Sequence, residues 1–93
     1  MVVGLCRVEI VLPGNDSLKA KRRILRSLID RTRRRYNVSI AEMDGQDNWQ
    51  RCALAIACVG NSRRHVDRVL QEVMRWLEAN LPGQVWYRET EIL

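Results

Sequence analysis

A chain of 93 residues that is 46% apolar, 29% charged and 5% aromatic has material for one compact core, so the expectation is a single domain spanning residues 1–93 and a multidomain enzyme is excluded. Sixteen Lys and Arg against eleven Asp and Glu give a net charge of +5, an imbalance that favours acidic partners. The longest apolar run, Cys52 to Val59, falls far short of the roughly 20 residues that cross a bilayer, and the first residues lack a signal-peptide pattern, so the expected location is the cytoplasm, with no membrane contact.

Val2 to Leu12 is rich in β-branched residues, with Val8, Ile10 and Leu12 alternating against Arg7 and Glu9, which predicts a first strand. Pro13, Gly14, Asn15 and Asp16 end it, and Ser17 stands where a helix N-cap belongs. The helix that follows runs to about Tyr36, because Leu18, Leu25, Leu28, Ile29, Thr32 and Tyr36 share one core-facing arc. Asn37 to Met43 predicts a second strand, broken by the turn residues 44–48. In Trp49 to Val59, the third strand, larger residues (Cys52, Leu54, Ile56, Cys58) alternate with Ala53, Ala55 and Ala57, which gives one bulky face and one nearly bare face. Gly60 and Asn61 end that strand, and Ser62 caps a second helix carrying Val66, Val69, Leu70, Val73, Leu77 and Leu81 at helical spacing. Pro82 and Gly83 stop it, and Gln84 to Leu93 forms a fourth strand.

The order β-α-β-β-α-β is the ferredoxin-like split βαβ arrangement, an α+β fold whose four-stranded antiparallel sheet carries both helices on one face. That topology sets the hairpin between the second and third strands at the same end of the domain as the start of helix 1, and the close of helix 1 at the other end with the start of helix 2.

The positive charge is local. Lys19 to Arg35 holds nine basic residues and one acid, Asp30, a net of +8 that leaves −3 for the rest of the chain. Lys19, Arg22, Arg23, Arg26, Arg33 and Arg34 form a band turned away from the apolar stripe, suited to a phosphate backbone. A solvated helix face is the plainer reading, but such faces usually mix Glu with Lys, as helix 2 does with Arg64, Arg68 and Arg75 among Asp67, Glu72 and Glu78. Lys19, Lys21, Arg22 and Arg23 stand at the helix end where the macrodipole is already positive, which marks either an anion site or ion pairs with Glu42, Asp44 and Asp47 of the neighbouring hairpin. Arg63 and Arg64 repeat the pattern at helix 2.

Catalytic apparatus is not visible. His65 is the only histidine, the glycines match no phosphate-binding fingerprint, and Glu42, Asp44 and Asp47 lack the oxygen spacing of a calcium loop, so no catalytic residue, metal or cofactor is expected. Cys6, Cys52 and Cys58 form no CxxC pair and read as buried thiols. Base stacking on the sheet is disfavoured, because its central strands offer no aromatic before Trp49. The bare face of Ala53, Ala55 and Ala57 instead suits flat packing against a second copy, with Trp86 or Tyr87 either at its edge or in the core.

The segments SLKAKR, SIAE and QDNWQR, with the rest of the chain around them, resemble the YlxP-like bacterial family, known as domain of unknown function 503. The resemblance implies a ferredoxin-like fold and a small cytoplasmic protein whose genes often neighbour those for translation initiation factor two and ribosome-binding factor A, hence a role near translation or ribosome assembly. Its motif positions here are Ser17, Leu18, Lys19, Lys21, Arg22, Glu42, Gln46, Asp47, Trp49, Gln50 and Arg51, with Asp44 in the same hairpin, while Gly45 departs from a larger polar residue. These residues make either a ligand site or a latch, with Trp49 as plug and Asp47 paired to Lys21 or Arg51. The expectation is a non-enzymatic module that contacts RNA or a ribosomal particle through helix 1. The alternative is a protein-interaction or regulatory domain that dimerises through its exposed sheet.

Overall fold

A computed structural model describes residues 1–43 and 48–93. The chain runs β1 (Val2–Val11), α1 (Leu18–Arg35), β2 (Ser39–Glu42), β3 (Arg51–Gly60), α2 (Arg63–Asn80) and β4 (Gln84–Ile92). The sheet has the order β2-β3-β1-β4 with antiparallel neighbours throughout, so the ferredoxin-like topology expected from the sequence is the one observed. The strand bounds differ from the apolar patterns chiefly in β2, which loses Asn37, Val38 and Met43, and in β3, which begins at Arg51 rather than Trp49 and runs on to Gly60; β1 and β4 each end one residue early.

Strand parity decides which face meets the helices. Cys6, Val8 and Ile10 of β1 lie in one layer with Cys52, Leu54, Ile56 and Cys58 of β3 and Ile40 of β2, all at most 4% exposed. Leu25 and Leu28 of α1 and Val66, Leu70, Val73, Met74 and Leu77 of α2 close over that layer. A Cβ on Gly4 would run into Val66 and Leu70, so the missing side chain is what lets α2 sit directly on β1. Gly14, at φ +77°, supplies the left-handed turn that carries the chain from β1 to α1.

Both helices are capped as their serines predict: Ser17 Oγ accepts from Ala20 N at 3.1 Å, and Ser62 Oγ from His65 N at 3.1 Å. Their inner faces differ. The apolar stripe read for α1 is interrupted by Lys21, which is 1% exposed, and Thr32 is fully buried with its hydroxyl donating to Leu28 O at 2.7 Å. Leu18, Ile29 and Tyr36 are only half-buried, and Tyr36 packs edge-on against Trp76 of α2, ring centroids 6.4 Å apart. All three cysteines are buried and free. No helix among the described residues is long and apolar enough to cross a membrane.

Candidate functional site

The structure sorts the nine cations of α1 into three groups. Lys21 is inside. Arg31, Arg33 and Arg35 are exposed but engaged: Arg31 lies over the Trp76 ring at 5.5 Å, Arg35 over Tyr36 at 5.7 Å, and Arg33 donates through Nη2 to Ile40 O at 2.9 Å while approaching Asp30 at 3.9 Å. Arg33 thus caps the carbonyl edge of the short strand β2, a structural task that removes it from the predicted band. Lys19, Arg22, Arg23, Arg26 and Arg34 remain, all exposed and without a hydrogen bond, ion pair or ring contact among the described residues. These five line one shallow concavity of about 530 Å³ with Ser27 and Asp30. Sequence spacing had grouped them, but their freedom from internal partners is a tertiary result.

Arg63 and Arg64 do not extend this surface. The close of α1 meets the second half of α2 through Tyr36, Arg31 and Trp76, and Arg64 lies twelve residues before Trp76, about 18 Å along the axis. The close of α1 and the start of α2 do share one end of the sheet, as expected, since Ser39 pairs with Ala57 and Gly60 with Val2, but Arg63 and Arg64 are not part of the concavity that the cations of α1 line. The half-buried Tyr36 and Trp76 rings draw the helices together further along α2.

The hairpin end carries a latch. Lys21 Nζ donates to Asn48 O at 2.6 Å and sits 3.6 Å from the Glu42 carboxylate. The Asn15 side-chain amide donates both to Ser17 O at 2.9 Å and to Trp49 O, bridging the helix cap to the hairpin. Leu12 N donates to Gln50 O at 2.7 Å, and Asn48 Oδ1 accepts from Gln50 N and Arg51 N, turning the chain into β3. Beneath lies Cys52, whose thiol is pushed from 9.0 to about 11 by burial, with Lys21 opposing and Glu42 adding to the shift. The thiol is therefore held in its protonated, unreactive form.

Asp44, Gly45, Gln46 and Asp47 lie outside the described residues, and with them the predicted pairing of Asp47. One part of the latch reading is corrected. Trp49 is no plug, being 50% exposed, because the bonds that hold this segment use its carbonyl and leave the ring outside. Arg51 turns to the open face, where its guanidinium lies 5.6 Å over the Trp86 ring. Asn15 and Asn48 were missed as site residues: they stood in the sequence only as turn formers, and nothing in their spacing announces the bridging bonds.

On the open face, Ala53 is 2% exposed and unavailable to a partner, whereas Ala55 and Ala57 are half-buried in a groove of about 580 Å³ shared with Leu5, Arg7, Ala41, Glu89 and Glu91. Trp86 and Tyr87 are exposed, at 53% and 40%, neither of them core. Trp86 is the extra residue of a bulge, since Tyr87 pairs with Glu9 and Val85 with Ile10.

A βαββαβ sheet with a buried lysine at the foot of one helix and free cations along its back defines a small ferredoxin-like domain with a basic helix. The profile described as "Protein of unknown function (DUF503)" matches residues 3–90, and the chain belongs to that family. It is 35% identical over 78 residues to "Uncharacterized protein YlxP" of Bacillus subtilis (strain 168), covering 84% of this chain and 85% of that one. Two solved structures share the fold: the de novo designed ferredoxin-fold protein LFR1 1 (TM-score 0.60, 15% identity, 98% of this chain, 85% of that one) and the designed protein Foldit4 (TM-score 0.51, 14% identity, 99% and 94%).

Proposed function

We propose that this chain is a non-enzymatic cytoplasmic module that contacts RNA, alone or within a ribonucleoprotein of translation or ribosome assembly, through the outer face of α1. The observation that carries this reading is the sorting of cations: Lys19, Arg22, Arg23, Arg26 and Arg34 are exposed and unengaged in one concavity, with Asp30 as its single acid. A helix face maintained for solubility alone gains nothing from unpaired like charges three and four residues apart, which repel. Phosphates placed along the band would release condensed counterions, so affinity should fall steeply with salt.

The test is fluorescence anisotropy with a labelled RNA from about 50 to 300 mM salt. Four to five phosphate contacts correspond to a slope of about −3 in log K against log salt for a single strand. An Arg22→Glu, Arg26→Glu, Arg34→Glu chain should lose at least tenfold, and an Arg64→Glu, Arg68→Glu, Arg75→Glu chain should lose less than twofold. Equal loss in both, or no RNA binding by the parent at low salt, refutes the reading.

A second reading, a homodimer or protein contact through the open sheet, is favoured by one feature, the groove floored by Leu5, Ala41, Ala55 and Ala57. Sedimentation of an Ala55→Glu chain tests it, since an unchanged oligomeric state counts against the sheet as an interface.

A further inference from the structure

The five aromatic residues divide by place. Tyr36 and Trp76 join the two helices, whereas Trp49, Trp86 and Tyr87 are all 40 to 53% exposed. The exposed three come from two segments far apart in the chain and lie at one end of the sheet. Trp49 lies two residues before β3, Trp86 and Tyr87 are the third and fourth residues of β4, and both strands lie against the close of β1 there, Arg51 opposite Val11 and Val11 opposite Gln84. The Trp86 ring reaches across β1 to the Arg51 guanidinium, and Arg51 is only two residues from Trp49. That is also the end where α1 begins, because Asn15 ties Trp49 O to Ser17 O, two residues before Lys19. Trp49 therefore stands at the end where the cationic band begins, while Trp86 and Arg51 stand at the same end of the sheet on its open face, across from α1.

We infer that the hairpin end is a stacking platform for unpaired nucleotides, the Arg51-backed Trp86 and Trp49 each offering a ring to a base as the strand rounds the end of the sheet, while Lys19, Arg22 and Arg23 take phosphates further along, beyond Trp49. This rests on the RNA reading of α1 and specifies its ligand as a single strand or loop rather than a duplex, whose bases are already stacked on one another. Arg51 holds the bulged Trp86 from one side. Tyr87 is excluded from the platform, since its hydroxyl donates to Glu89 Oε2 at 2.6 Å and that carboxylate would repel a phosphate. The shortage of aromatics on the central strands argues against stacking across the sheet, and the platform lies instead at the sheet's end.

The experiment titrates the full chain with a labelled 12-nucleotide oligo(A) and with a 12-base-pair RNA duplex at about 100 mM salt, following anisotropy and tryptophan fluorescence. The parent should prefer the single strand and show quenching on binding. Trp49→Ala and Trp86→Ala should each weaken single-strand binding about 5- to 150-fold with the salt slope unchanged, while Trp49→Phe restores most of the loss. Both rings are half exposed, so circular dichroism and the thermal midpoint should stay close to those of the parent. If the Trp49→Ala, Trp86→Ala chain binds oligo(A) as tightly as the parent while reversal of Arg22 and Arg26 abolishes binding, the platform is refuted and the α1 reading survives. If the parent binds neither RNA, both fall, and the exposed rings become a protein-docking surface.

Discussion

The two helices are the same length, both begin at a serine cap, neither has an acid in its first turn, and both lie on the same side of the sheet, yet they are built on different principles. α2 buries only apolar side chains, Val66, Leu70, Val73, Met74 and Leu77, and balances its outer face between arginines and acids. α1 buries Leu25 and Leu28 beside a lysine and a threonine, and leaves five cations unneutralised on its back. An ion inside and like charges outside both oppose stability, so α1 carries features that folding alone does not select. Where one helix departs from the economy of its twin, the departure marks the surface to test.

The largest expected effects probe the inner faces. Leu77→Ala should destabilise the chain by about 2–5 kcal/mol through the cavity it leaves, measured by urea unfolding. Lys21→Ala should cost about 3 kcal/mol, because it strips the Glu42 carboxylate and the Asn48 carbonyl of their cation, whereas Lys21→Met with Glu42→Gln should recover most of that loss. If Lys21→Ala is as mild as a surface change, the lysine is no latch and the contrast between the helices disappears.

Cys52 reports on the same latch through pH. Its thiol is raised from 9.0 to about 11 in the folded chain, so the unfolded thiol ionises first. Its contribution is complete below pH 9 and is lost as pH rises from about 9 to about 11, amounting to about 2 kcal/mol. Urea unfolding at pH 8, 9.5 and 10.5 should show the parent losing that much more than a Cys52→Ala chain, and parallel curves would mean that the site is wetter than its burial implies. Gly4→Ala should cost about 1–3 kcal/mol by pushing α2 off β1 against Val66 and Leu70, with no counterpart under α1. The smallest effects should be equal: Ser17→Ala and Ser62→Ala each remove one cap bond, worth about 1 kcal/mol in thermal or urea unfolding.

The sequence alone determined the order and type of all six elements, because each is announced by a periodicity and ended by a local chemical signal: Pro13 and Gly14, Gly60 and Asn61, Pro82 and Gly83, and the two capping serines. It determined the fold class with them, since few topologies accommodate two helices on one face of a four-stranded antiparallel sheet. It also located the basic helix and the core-facing rows of β1 and β3. Only the tertiary structure decided which cations are free, that Lys21 answers Glu42 and Asn48, and that the rings of Trp49 and Trp86 stand outside the core. The reason is physical. Periodicity records which side of an element faces the core, whereas ion pairs, ring contacts and exposure depend on residues as far apart as Asn15 and Trp49, or Arg51 and Trp86, which meet only when the sheet is assembled.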